Sequence, residues 1–172
     1  GYAFSEQDNT GYTHGVSPFN IEKGPIKNDC SSWSYVASEA INQAMVDENV
    51  YSIVPATALG SNFNSILENY PDRSMDVGIA EEHAFLMAAG LSLKGYHPII
   101  SIYSTFLQRC YDQISHDLSR MNLKSTVVID RAGLVGNDGT SHQGIFDEAM
   151  LYTIPNTVIT MPTYKEDVKK LI

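Results

Sequence analysis

The distribution of apolar positions changes character near residue 31. Before it, Gly1 to Asn28 is polar, aromatic and interrupted by glycine and proline, with little periodicity, which predicts an extended arm or linker over residues 1–30. After it, two rhythms alternate. Tyr35, Val36, Ile41, Ala44 and Met45 fall near helical spacing behind Ser31 or Ser32, either of which can cap a helix. Tyr51 to Val54 is a β-branched run stopped by Pro55 and predicts a strand. Leu59 to Tyr70, with Phe63, Ile66 and Leu67, reads as a helix. Asp76 to Ala80 reads as a strand or a tight approach to a helix that opens at Glu81 and closes at Lys94-Gly95. Pro98 to Ile102 and Thr126 to Ile129 are wholly apolar strands, and between them Leu107, Cys110, Ile114 and Leu118 share one face of a helix over Phe106 to Met121. A glycine-rich loop, Ala132 to Gly144, precedes a short helical piece, Ile145 to Leu151; Thr157 to Thr160 predicts a last strand, and Lys165 opens a last helix. Wholly apolar strands alternating with helices predict an α/β fold, a parallel β-sheet sandwiched by helices, as one domain over residues 31–172.

In open sheets of this kind ligands sit beyond the carboxyl ends of the strands. Three such ends carry polar residues. One leads into Glu81, whose carboxylate at a helix start faces bare N–H donors; helix capping alone accounts for an acid there about as well as function does. The second leads into Tyr103, Ser104, Thr105, Phe106, Gln108 and Arg109, and the third into Asp130, Arg131 and the loop that carries Asp138 and His142. Their convergence on one crevice says more than any single motif.

Composition narrows the classes. The chain is 43% hydrophobic, enough to bury a core, and its formal net charge of -9 argues against nucleic acid or an anionic membrane surface as partner. Small anionic substrates remain open to it through Arg109 and Arg131, which can each hold a phosphate or carboxylate by two-point contact or else form ion pairs with Asp112, Asp117 or Asp130. No apolar run approaches the ~20 residues of a membrane span. Cys30 and Cys110 lie far apart without metal spacing and read as free thiols. The loop GLVGNDGTSHQG is neither GxGxxG nor a Walker loop, so a nicotinamide or ATP site has little support. His83 and His116 fall on predicted helices and read as structural; His142, between Ser141 and Gln143 in the loop, reads as functional. The first residue is not Met and the last fall inside a helix, so the sequence reads as a piece of a longer protein.

DVGIAEEHA, IYSTFLQRCYDQISHD, IDRAGLVGNDGTSHQG and FDEAMLYTIPN together resemble the thiamine-diphosphate-dependent transketolase family, and within it the branch that condenses pyruvate with glyceraldehyde 3-phosphate, with loss of CO2. The arm GY…HGVSPFN…KG resembles the linker that precedes that branch's second domain, so the likeness covers essentially the whole chain, as a pyrimidine-binding domain. It implies that the Glu81 carboxylate hydrogen-bonds the aminopyrimidine of thiamine diphosphate, that Phe106 stacks on that ring, that Ile79 props the bent cofactor, and that Arg109 lies beside the pyrimidine pocket. It also implies that Tyr103, Asp138 and His142 line the substrate pocket, His142 with a catalytic part, and that Arg131 binds the substrate phosphate. The resemblance further implies a homodimer in a bacterial cytoplasm or a plastid, with Mg2+ and the diphosphate held by an N-terminal domain. Neither that domain nor the C-terminal one falls within these residues, and the piece alone is expected to be inactive.

Two positions depart from the family pattern: Ala80-Glu81-Glu82-His83 stands where Ala-Glu-Gln-His is usual, and Ser141-His142 where Thr-His is usual. Adjacent acids would repel if both were buried, so Glu82 is expected to point away. A transketolase, the β subunit of a 2-oxoacid dehydrogenase, or a non-catalytic interaction domain that kept the fold remain the alternatives.

Overall fold

The structure, a computed structural model, describes residues 21–22, 32–136 and 138–172. The expected arm, with His14 and Cys30, lies outside the described residues except for Ile21 and Glu22. Four parallel strands, β1 (Val50–Val54), β2 (Ser74–Asp76), β3 (His97–Tyr103) and β4 (Thr126–Asp130), form one sheet in the order β2-β1-β3-β4. Successive side chains of a strand point to opposite faces, and both faces are covered. Ile53, Ile100 and Ile102 pack on one side against α3 (Glu81–Leu93) and the helical stretch that follows β3. Val50, Val54 and Ile99 pack on the other against α1 (Trp33–Ala44) and α2 (Asn64–Asn69), through Ile41, Met45, Phe63 and Ile66. Two-sided burial is why the central strands β1 and β3 read as largely apolar runs, while the edge strand β2, Ser74-Met75-Asp76, does not and lies just before the expected Asp76 to Ala80.

Ser32 caps α1, its Oγ accepting from Tyr35 N–H at 3.1 Å. The expected helix over Leu59 to Tyr70 is shorter, because Asn62 turns left-handed (φ 55) and divides a turn over residues 57–62 from α2. The expected helix from Phe106 begins two residues earlier, directly off β3. It runs as α4 (Ser104–Leu107), a 3-10 turn (Gln108–Cys110) and a wide π-helical segment (Gln113–Ser119). Its predicted face is buried throughout: Leu107, Cys110, Ile114 and Leu118 all join the core. α5 (Asp147–Leu151) follows the glycine-rich loop, and a 3-10 turn (Lys165–Asp167) leads into α6 (Val168–Leu171).

One predicted strand is absent. Residues 157–160 take no regular secondary structure and pair with no strand among the described residues: the sheet ends at β4, and Val158 is 87% exposed. An apolar β-branched run signals a strand only where a free sheet edge meets it, and the left-handed Asn156 (φ 56) sends this run along the surface instead.

Candidate active site at the carboxyl ends of the strands

β2 ends at Asp76, and only four residues separate it from α3. The connection is fixed by the Asp76 carboxylate, whose Oδ1 accepts from Ala56 N–H at 2.8 Å and from Gly78 N–H at 2.9 Å. Ile79 follows, 77% exposed on the rim. Then α3 opens with Glu81, only 2% exposed. Arg109 Nη1 lies 3.0 Å from Glu81 Oε2, and its Nε 3.7 Å from Glu82 Oε1. The first contact is one of charge rather than a directed hydrogen bond, and it leaves Oε2 buried without a donor. Glu82 is half-exposed and does not enter the pocket of Glu81, although the two acids share Arg109. Beneath them, burial and the charges of Glu81 and Glu82 push the Cys110 thiol up to about 12, with Arg109 partly opposing.

A second group of side chains forms one connected cluster. The Tyr103 and Phe106 rings stack at 5.7 Å, and the His142 ring meets the edge of Phe106 at 5.6 Å. The Arg131 guanidinium lies 4.0 Å over the Tyr103 ring, a cation–π contact, and its Nη1 donates to both carboxylate oxygens of Asp138, at 2.8 and 2.9 Å. Burial pushes the Tyr103 hydroxyl pKa up, while Arg131 pulls it down. Arg131 itself is left-handed (φ 57), a conformation uncommon for a residue with a long side chain. It is held there by its own N–H donating to Asp130 Oδ1 at 2.8 Å, an oxygen that also accepts from Ser34 Oγ at 3.0 Å.

The glycine-rich loop is a closed structure. Gly133 and Gly144 exchange backbone hydrogen bonds at 2.6 and 2.9 Å across its neck. Inside, Gln143 Oε1 accepts from Val135 N–H at 2.7 Å, and Nε2 donates to the carbonyls of Val135 and Gly139. Ser104, Thr105 and Gln108 line a cavity with Ser141 and Gln143 of this loop, and Phe146 and Met150 form an apolar part of its wall.

The geometry assigns ion-pair partners other than those the sequence suggested: Arg109 pairs with Glu81 and Glu82, and Arg131 with Asp138. His116 lies exposed beside Asp117, and His97 bonds Thr126 far from the crevice. Among the described residues no group of three or more His, Cys, Asp or Glu could hold a metal ion, and no helix is long and apolar enough to cross a membrane.

Residues 31–172 match the family model described as transketolase, pyrimidine binding domain. This chain belongs to that family. Among curated relatives, the 1-deoxy-D-xylulose-5-phosphate synthase of Listeria innocua serovar 6a is 46% identical over 100% of this chain and 28% of the relative. That of Geobacillus sp. (strain WCH70) is 48% identical over 94% of this chain and 26% of the relative. The chain thus spans little more than a quarter of the length of these proteins. A solved structure described as a split gene transketolase, inactive beta4 tetramer, superposes with a TM-score of 0.68 at 22% identity, covering 80% of this chain and 45% of that one. That likeness bears on the fold, which is the α/β parallel sheet of the pyrimidine-binding domain.

Within this domain, sequence reasoning overlooked three residues. Asp76 was read only as the start of an element; its acceptor role depends on Ala56, twenty positions away. Gln143 reads as a flank of His142, and only the folded loop shows it spanning from Val135 to Gly139. Gly60 sits where a Cβ would fall 1.7 Å from the Tyr103 hydroxyl and 3.1 Å from Arg131 Nη2. The spacing Asp76-Val77-Gly78 is a local turn signal that could have marked Asp76, whereas Gly60 meets Tyr103 and Arg131 far along the chain and leaves no local pattern.

Proposed function

We propose that this domain is the pyrimidine-binding part of a 1-deoxy-D-xylulose-5-phosphate synthase, which joins pyruvate and glyceraldehyde 3-phosphate with loss of CO2. The observation that carries the reading is Glu81: a carboxylate buried at the mouth of α3, at the strand ends, with one oxygen lacking a donor. A buried acceptor without a donor is costly unless a ligand supplies one. A protonated ring nitrogen of an aminopyrimidine supplies it, so the residues present fit thiamine diphosphate. Phe106, one helical turn before Arg109, offers its ring to the same crevice, and Ile79 offers an exposed apolar contact on the rim.

When bound, thiamine diphosphate supplies the carbon centre on which pyruvate is decarboxylated. The chain's own residues orient it and shape its surroundings. Glu81 holds a proton at the pyrimidine nitrogen, and Arg109 balances the charge of that carboxylate. Arg131, whose side chain is one-third exposed, binds the phosphate of glyceraldehyde 3-phosphate in exchange for part of its contact with Asp138. His142 and Tyr103 line the substrate pocket, His142 positioned for proton transfer at the acceptor oxygen. Mg2+ and the diphosphate are held by an N-terminal domain outside this chain; that domain, a C-terminal domain and a second subunit complete a cytoplasmic homodimer. The 172-residue chain alone turns over no substrate.

Replacement of the key carboxylate in the full-length protein tests the reading. Glu81→Gln keeps the shape and removes the charge, and it lowers turnover of pyruvate with glyceraldehyde 3-phosphate by at least about a hundredfold, the scale of a lost proton-transfer partner. Turnover equal to that of the unmutated protein would overturn the assignment.

A further inference from the structure

α3 begins without a cap of its own. Ala80 stands at its N-cap position and contributes no side-chain hydrogen bond, so no capping side chain fixes its first turn. Yet this turn carries Glu81, and Ile79 stands just before it. What precedes them is a pair of left-handed corners, Ala56 (φ 56) after β1 and Gly78 (φ 71) after β2. Ala56 is a costly residue for that conformation, which any side chain resists. The Asp76 carboxylate ties both corners together, one oxygen accepting from each N–H at 2.8 and 2.9 Å. The connection is tightened further by Val77 N–H bonding Val54 O at 3.1 Å and Ala80 N–H bonding Gly78 O at 2.8 Å.

We infer that Asp76 is the positioning residue for Glu81: its carboxylate clamps the ends of β1 and β2 together and thereby sets where α3 begins and where Ile79 and Glu81 face. The inference rests on the proposed role of Glu81. The clamp works through hydrogen-bond acceptance, since its donors are two neutral amides and no cation pairs with Asp76 among the described contacts. A neutral acceptor of the same shape serves equally. Gly78 has open space around its missing Cβ, so its glycine is required by backbone conformation and not by crowding.

Asp76→Ala and Asp76→Asn in the full-length protein, beside Glu81→Gln, test this. Asp76→Ala lowers kcat about tenfold or more and weakens thiamine diphosphate binding, measured by calorimetry, while the KM for pyruvate stays within about twofold. Asp76→Asn restores kcat and cofactor affinity to near those of the unmutated protein. Amide exchange gives a readout independent of turnover: Ala56 and Gly78 exchange rapidly in Asp76→Ala and remain protected in Asp76→Asn. Unchanged kcat and cofactor affinity in Asp76→Ala would overturn the inference, as would an Asn variant that protects both amides yet is as impaired as Ala. If Glu81→Gln is impaired while Asp76→Ala is not, the positioning role fails and the role of Glu81 stands; if Glu81→Gln is itself unimpaired, the functional reading fails.

Discussion

At the scale of single residues, the substrate side of the crevice depends on how closely backbone and side chains approach. The Tyr103 hydroxyl occupies the space that any side chain at residue 60 would need, and the Tyr103 ring lies between Arg131 and Phe106 with no free direction in which to retreat. Gly60→Ala therefore forces the whole cluster to shift. Overpacking of this kind costs about 1–3 kcal/mol, to be read as a lower urea midpoint with an unchanged slope. An unshifted midpoint would show that Tyr103 has room that the geometry denies it. Residue chemistry was partly legible in the sequence. Glu81, Arg109, Arg131, Asp138 and His142 stand out by type and by position after apolar runs. Their pairing was not legible, since Arg131 finds Asp138 across a closed loop and Arg109 finds Glu81 across two elements.

At the scale of elements, His97 shows how strands are held together at their starting ends. It opens β3 and bonds Thr126 at the start of β4, its Nε2 2.8 Å from Oγ1. Burial pushes its pKa below the ordinary 6.5, with the charge of Lys124 acting the same way and Asp47 opposing. The folded state then prefers the neutral ring, while the unfolded chain takes up a proton as pH falls through about 6.5. Stability from this residue is complete above that pH and is lost progressively below it, towards the depressed value. Urea midpoints measured from neutral to mildly acidic pH should fall, and His97→Gln should flatten the fall; an equal slope in the variant would assign the dependence to other groups. β1, β3 and β4 were legible as largely apolar runs, whereas β2, Ser74-Met75-Asp76, carries no such run and lies before the expected Asp76 to Ala80. The same signal misled at 157–160, where Val158 has no sheet edge beside it and faces solvent. The helix after β3 kept its predicted face but not its start or its regularity, since apolar spacing records which side is buried and not which hydrogen bonds form.

At the scale of the whole molecule, the candidate site residues gather at one edge of the sheet. Glu81, Phe106 and the Arg131–Asp138 pair follow the carboxyl ends of β2, β3 and β4, Glu81 buried against Arg109 and Phe106 packed between Tyr103 and His142. The relatives the chain matches are more than three times as long. The fold class could be read from the sequence because it is a local rhythm repeated. The proposed division of the site between domains rests on long motifs alone, because residues outside the chain leave no mark on the rhythm of those within it. The central claim is that this chain supplies the pyrimidine half of a thiamine diphosphate site and that a second domain supplies the rest. Calorimetric titration of thiamine diphosphate with Mg2+ into the 172-residue chain, and then into a chain extended N-terminally, tests it most directly. The account predicts no measurable binding to the short chain and recovered binding in the long one; tight binding to the short chain alone would contradict it.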